Sequence, residues 1–308
     1  MEIRISEKYD GKTVLSYLKD NGFSHTLISR MKRVPNGIMR NGEHVTVRAI
    51  LCVGDVLSLS YEDNSDDVNL HIEPTPLDID VVYEDEDLVV VNKPFGMPTI
   101  PSHNHQGDTL ANALAYRYRD QNFVFRTVNR LDKNTSGLVL VARDPHAATE
   151  LYRQMQAKLI KKSYTAILYG RIDPPNGEIR SYIKRERESI IKRINLENFE
   201  EGAQFAHTTY KTQRVIEGSK GIFSMVSASP LTGRTHQLRV HFAGMGNPIC
   251  ADDLYGRDNE FVSIGRQALH ASTLEFIHPT TKENVFFTAD LPADMVNLLK
   301  ELNDLEES

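Results

Sequence analysis

The 308-residue chain carries 36 Lys/Arg against 42 Asp/Glu, a formal charge of −6, with 40% hydrophobic and 25% charged residues. That composition excludes a disordered or fibrous chain, and the length predicts two folded units with room for a sizeable core. Two cysteines, Cys52 and Cys250, far apart and in no C-x-x-C setting, argue against a disulfide framework and a cysteine zinc site.

In chain order, the opening Met-Glu-Ile-Arg-Ile-Ser has no basic flank before an apolar core, so no secretory signal is expected. Apolar runs such as 88–91 and 137–142 are strand-sized, well short of the roughly 20 residues that span a bilayer. A cytoplasmic protein without membrane contact is the expectation. Val14, Leu15, Leu18 and then Leu27, Ile28, Met31 predict two short amphipathic helices, the first ended by Asn21-Gly22 and the second capped by Ser24. Residues 38–45 read as strand, Asn41-Gly42 turn and strand, and 53–59 add a further turn and strand.

The polar, turn-rich stretch 61–76, with Pro74 and Pro76, marks the domain boundary. The expected division is a small unit over 1–61, an acidic linker over 62–76, a second domain over 77–300 and an acidic tail over 301–308. From Leu77 strands dominate: 80–84, then 87–92, which Lys93-Pro94-Phe95-Gly96 cannot continue. Residues 109–118 have helical spacing, 137–142 form a buried strand, and Asp144-Pro145 starts a helix. Charge is segregated. Residues 1–61 hold nine Lys/Arg and six Asp/Glu, 62–87 hold eleven acidic residues and no Lys or Arg, and 126–193 hold fifteen basic against seven acidic. A basic face able to grip a polyanion is therefore available despite the net charge. Charge runs alone are ordinarily just solvated surface.

Helix, helix and hairpin followed by Val53-Gly54-Asp55 resemble the alpha-L RNA-binding domain, the type named for small-subunit ribosomal protein S-four. On that resemblance Arg30, Lys32, Arg33, Arg40 and Arg48 would make phosphate contacts, which position RNA without reading sequence.

The chemistry concentrates in 127–137, where Asp132 lies between Arg130 and Lys133 in a polar loop that leads into a core strand. A carboxylate near fixed cations stays ionised and can be held in one orientation, as a nucleophile or general base must be. By itself, an Asp satisfying loop hydrogen bonds is the commoner case. The segment resembles the H-R-L-D-x-x-T-S-G-L signature of the RluA/RluD-type RNA pseudouridine synthases. In the same order along the chain, Asn92-Lys93-Pro94-Phe95-Gly96 resembles that family's N-K-P-x-G, Lys162-Ser163-Tyr164-Thr165-Ala166 its K-x-Y-x-A, and 233–241 its G-R-T-H-Q-[LI]-R-x-H. Leu269-His270-Ala271 and Phe276-Ile277-His278-Pro279 match L-H-A and F-x-H-P.

The resemblance implies an α+β fold: the small alpha-L-type unit, then a mixed, mainly antiparallel sheet with flanking helices and an RNA cleft with Asp132 at its base. It implies that Asp132 is the essential carboxylate, that Arg234 pairs with it in a bidentate fork, and that Tyr164 stacks on the uracil as a possible proton-transfer group. Leu238 would form the apolar wall, and Arg130 would fill the space left by the flipped base. Asn129 and Lys93 are expected at the substrate. Lys211, Arg214, Arg234 and Arg239 would add to the cleft's basic lining. No cofactor is implied, since nothing is oxidised and no group imported. The histidines, His103-x-His105 included, read as structural or RNA-proximal rather than as metal ligands. RNA is the implied partner, ribosomal RNA before transfer RNA, and a monomer is expected.

Two departures stand out: Asn129 where the family usually has His, and Ala251 where Gly is usual. Asn cannot titrate near neutral pH, but activity is expected to survive if the position is structural or a substrate contact. Two other readings compete, a non-catalytic RNA-binding assembly factor and a metal-dependent hydrolase using Asp132. Intact Asp132, Tyr164 and Arg234 count against the first, and the lack of clustered carboxylates around Asp132 against the second.

Overall fold

Two sets of apolar side chains, one on either side of the acidic stretch, drive two separate cores. The structure, a computed structural model, describes residues 2–21, 23, 25–60, 72–189, 191–256 and 262–303. Most of the 62–76 stretch, the predicted Ser24 cap, Gly22 and most of the 301–308 tail lie outside the described residues.

The first unit contains β1 (Glu2–Arg4), α1 (Val14–Asp20), α2 (His25–Met31), β2 (Ile38–Arg40), β3 (Glu43–His44) and β4 (Val56–Leu59). Its antiparallel sheet runs β1-β4-β2-β3. Thr13 caps α1 by accepting the Ser16 N–H. Asn41 and Gly42, with φ of 52° and 82°, make the tight turn between β2 and β3. Val14, Leu18, Leu27 and Met31 from the helices pack on Ile38 and Leu57 from the sheet.

The second unit begins with β5 (Asp80–Glu84), β6 (Leu88–Lys93), α3 (Leu110–Arg117), β7 (Arg126–Thr127), β8 (Ser136–Ala142) and α4 (Pro145–Gln156). It continues through β9 (Lys161–Tyr169), β10 (Asn176–Arg185), β11 (Arg193–Leu196), β12 (Gln204–Gly218) and β13 (Gly221–Pro230). It ends with α5 (Gln237–Gly244), β14 (Leu269–Ile277), β15 (Asn284–Thr288) and α6 (Ala293–Leu302). The 11-stranded sheet runs β11-β10-β12-β13-β9-β14-β8-β6-β5, with β15 on β14 and β7 on β8. Among the described residues, only β8 and β14 pair in parallel, through Ser136 with His270 and Gly137 with Ala271. The mixed, mainly antiparallel sheet with flanking helices is thus the architecture found.

The unbroken apolar runs of β6 and β8 follow from burial on both faces. Val89, Val91, Val139 and Val141 face Leu110 and Leu114 of α3, with Phe242 and Leu298 in the same core. Leu88, Val90, Leu138 and Leu140 turn the other way, against Ala147 and Leu151 of α4. Each such side chain contributes about 1.5–3 kcal/mol on burial. Asp144 caps α4 by accepting the His146 and Ala147 N–H groups, with Pro145 opening the helix. His146 also joins the two units: its Nε2 lies 3.2 Å from the Asn21 carbonyl and its ring 4.1 Å from that of Phe23. No helix of the described residues is long and apolar enough to cross a membrane.

Candidate active site

Asp132 sits in the loop between β7 and β8, and that loop is gripped residue by residue from outside. The Thr99 hydroxyl accepts the Leu131 N–H at 3.1 Å and donates to the Leu131 carbonyl at 2.8 Å. Lys93 Nζ donates to the Lys133 carbonyl at 3.2 Å, Arg266 Nη1 to the Asn134 carbonyl at 3.1 Å, and Gln267 Nε2 to Thr135 Oγ1 at 3.2 Å. The loop closes on itself where the Thr135 N–H donates to the Asp132 carbonyl at 3.0 Å. Gly137 follows at φ 113°, and a Cβ there would stand 2.3 Å from the Ala271 carbonyl oxygen. Only glycine lets β8 come this close to β14.

Asp132 faces two nitrogen groups from α5 and its start, the Arg239 guanidinium with Nη1 at 3.7 Å and the His236 imidazole with Nε2 at 3.9 Å. Arg239 is itself held as a fork, Nε and Nη2 each 2.7 Å from an oxygen of buried Asp252, with Nη2 also 2.7 Å from Asp253. Asp252 is fixed in turn by the Leu254 and Tyr255 N–H groups. Burial works against the guanidinium charge, but Asp252, then Asp132 and Asp253, outweigh it and keep Arg239 cationic. Burial pushes the His236 imidazole below its ordinary value despite the Asp132 charge, so it is neutral at pH 7. Its Nδ1 lies 2.9 Å from the Tyr255 hydroxyl.

These groups line a cleft of about 970 Å³, together with Arg130, Tyr164, Arg234 and Leu238. Tyr164, on β9, is buried, and burial followed by the Asp132 charge raises its phenol, which stays protonated. Leu238 is buried in the first turn of α5. Arg130 is exposed on the cleft wall. The site therefore offers a fixed carboxylate, a rigid guanidinium, a protonated phenol and apolar walls, a set suited to holding a planar ring against a carboxylate.

Several expected residues sit differently from the sequence reading. Arg234 does not pair with Asp132: its Nε donates to the Phe205 carbonyl at 2.9 Å and its N–H to Gln237 Oε1 at 3.0 Å, because the residue precedes α5 and follows the outer rim. Lys93 is not part of the cleft lining. It is fully buried, its ammonium held by the Pro94, Met97 and Lys133 carbonyls at 2.8, 2.7 and 3.2 Å. Burial pushes it down to about 7, opposed by the Asp132 charge and aided by that of Arg266. Asn129 lines the cleft, and its amide ties into β8: Oδ1 accepts the Leu140 N–H at 2.8 Å and Nδ2 donates to the Leu138 carbonyl at 3.1 Å. Lys211 and Arg214, on β12, lie away from the cleft lining, and Arg214 donates to Asn303.

Arg30 lies in the last turn of α2, Lys32 and Arg33 are exposed just beyond it, and Arg40 on β2 donates to the Ile50 carbonyl with Asp55 at 3.9 Å. Among the described residues, Asp85, Asp87 and His278 converge in the manner of metal ligands. His278 Nδ1 already accepts the Thr280 and Thr281 N–H groups, leaving Nε2 to donate to Asp85 at 2.8 Å, so the cluster reads as a tie between strands. Sequence reasoning missed the roles of Thr99, His236, Asp252, Arg266 and Gln267, and took Arg239 only as cleft lining. One signal was available: a charge beside Leu238 in a buried helix needs an anionic partner, and Asp252-Asp253 stand downstream.

A family model described as RNA pseudouridylate synthase matches residues 87–244. The "uncharacterized RNA pseudouridine synthase YjbO" of Bacillus subtilis is 36% identical over 290 residues, covering 94% of this chain and 98% of the relative. The "ribosomal large subunit pseudouridine synthase D" of Neisseria meningitidis serogroup B is 37% identical over 247 residues, 76% of this chain and 64% of the relative. Among solved structures, human RNA pseudouridylate synthase domain containing 1 superposes with a TM-score of 0.57 at 28% identity, covering 73% of this chain and 94% of that one.

Proposed function

The chain belongs to the RNA pseudouridine synthase family and is an isomerase acting on RNA, and from that premise we propose that it converts uridines of ribosomal RNA to pseudouridine with Asp132 as the essential carboxylate. In that reaction the bond from ribose C1′ to uracil N1 breaks, the base turns, and C1′ joins C5. C5 gives up a proton and N1 gains one, so atoms balance without oxidant or imported group. The observation that carries the reading is the loop that fixes Asp132 in the cleft opposite Arg239. An orientation fixed before substrate arrives costs nothing at the moment of reaction.

Tyr164 and Leu238 bound the uracil in this reading, and Arg130 fills the stack that the flipped base leaves. Arg239, not Arg234, takes the part of the pairing cation. Ribosomal RNA is favoured by relatives named as large-subunit synthases. We assign residues 1–61 to RNA binding, with Arg30, Lys32, Arg33 and Arg40 as phosphate contacts, and residues 77–300 to the chemistry, in a monomer that needs no metal. The test is tritium release from RNA labelled at uridine C5, with EDTA present, offered ribosomal and transfer RNA in parallel. Wild type is expected to release tritium from ribosomal RNA and Asp132→Asn to release none. Equal release by both would remove Asp132 from the mechanism, and release only from transfer RNA would reassign the target.

A further inference from the structure

Lys162 lines the cleft two residues before Tyr164 on β9. Its side chain is half-buried, with Nζ 3.9 Å from the Met155 sulfur, and burial lowers the ammonium below its ordinary value. Two other cations of the wall are already matched: Lys161 meets Glu275 at 2.9 Å, and Arg239 meets Asp252 at 2.7 Å. Among the described residues no carboxylate stands within 4.0 Å of Lys162. A partly desolvated ammonium with no counter-charge is costly to keep, and the cost is recovered when an anion arrives.

Its position says which anion. Residues two apart in a strand project to the same side, about 7 Å from one another. That is close to the span from a nucleobase to its own backbone phosphate. We infer that Lys162 takes the phosphodiester of the same nucleotide whose base lies against Tyr164. The inference rests on the synthase reading for that base. The paired cations on the wall must first give up a carboxylate to serve a phosphate, whereas Lys162 gives up only partial contact with water and Met155. It would thus distinguish a uridine within a strand from free uracil or uridine.

The experiment compares wild type with Lys162→Met, Lys162→Arg and the remote control Lys220→Met, whose lysine pairs with Glu301. Affinity for a ribosomal RNA transcript is measured across a salt series, and tritium release in single turnover at saturating RNA. Lys162→Met is expected to bind about tenfold more weakly, with a salt slope shallower by about 0.7–0.9, one phosphate contact's worth. Its rate at saturation should stay within about twofold of wild type, and Lys162→Arg should restore most of the affinity. Thermal unfolding of Lys162→Met at or above the wild-type midpoint would show that the fold is intact. An unchanged slope in a folded variant overturns the inference, as does a lost rate with affinity retained, which would place Lys162 in the chemistry. If wild type releases no tritium from any RNA, the synthase reading fails, and the slope still decides whether Lys162 holds a phosphate.

Discussion

Arg234 and Arg239 stand five residues apart in one motif, but Arg239 alone is turned toward Asp132, because α5 begins between them and carries the second arginine inward. Arg239→Lys keeps the charge and loses the fork on Asp252, so kcat is expected to fall on the order of 10²-fold with KM little changed. Arg234→Lys should cost less than about tenfold, chiefly in KM. Steady-state kinetics of the pair check this, and equal losses in kcat would return Arg234 to the centre. Asp132, Tyr164 and Leu238 were legible because short motifs fix their neighbours along the chain. The partner of Asp132 was not, since it depends on how a helix from a hundred residues downstream is rotated. Asn129 has a plain account. Its amide oxygen and nitrogen flank one carbon and serve a β8 N–H and carbonyl, as the two nitrogens flanking one carbon of a neutral imidazole could do.

At the scale of elements, β6, β8, α3 and α4 could be read from apolar runs and caps, because each is decided by its own residues and one buried face. The turn that carries Asp252 is different. Ala251 lies at φ 55°, the left-handed region that costs a residue with a Cβ about 1–2 kcal/mol. The usual glycine of the family is thereby explained, and this chain bears the strain directly beside the aspartate that holds Arg239. Ala251→Gly should remove that strain while adding about 0.5–1 kcal/mol of unfolded-chain entropy, for a net gain of up to about 1.5 kcal/mol. A rise of roughly 2–4 °C in Tm is the expected reading in a scanning melt. A fall would mean that the Cβ is packing productively in its buried site. The grip on the loop at 131–135 could not be foreseen from any window, because Thr99, Lys93, Arg266 and Gln267 are joined only by the finished sheet.

For the whole molecule, several buried imidazoles set how it responds to acid. His241, between the Ser181 and Thr208 hydroxyls, is pushed down to about 4 by burial, and His236 and His270 shift the same way. Below pH 6.5 the unfolded chain binds a proton at His241 that the folded protein refuses, so stability falls as pH drops from 6.5 toward 4. The loss from His241 is roughly 2 kcal/mol between pH 6.5 and 5, before carboxylates with lowered values such as Asp85 and Glu150 begin to titrate. Urea midpoints at pH 7 and pH 5 should show it, with a smaller difference in His241→Asn. A midpoint that does not move in wild type would mean that the imidazole takes up its proton in place. The short parallel contact of β8 with β14 carries a last consequence, for the making of the protein. Ser136 meets His270 across 134 residues of chain, and the grips on Asn134 and Thr135 come from Arg266 and Gln267. A nascent chain that has already built β5 to β13 still lacks the floor under its aspartate, and closing so long a loop comes late in folding. On the ribosome, the aspartate therefore waits for its support until β14 has been synthesised.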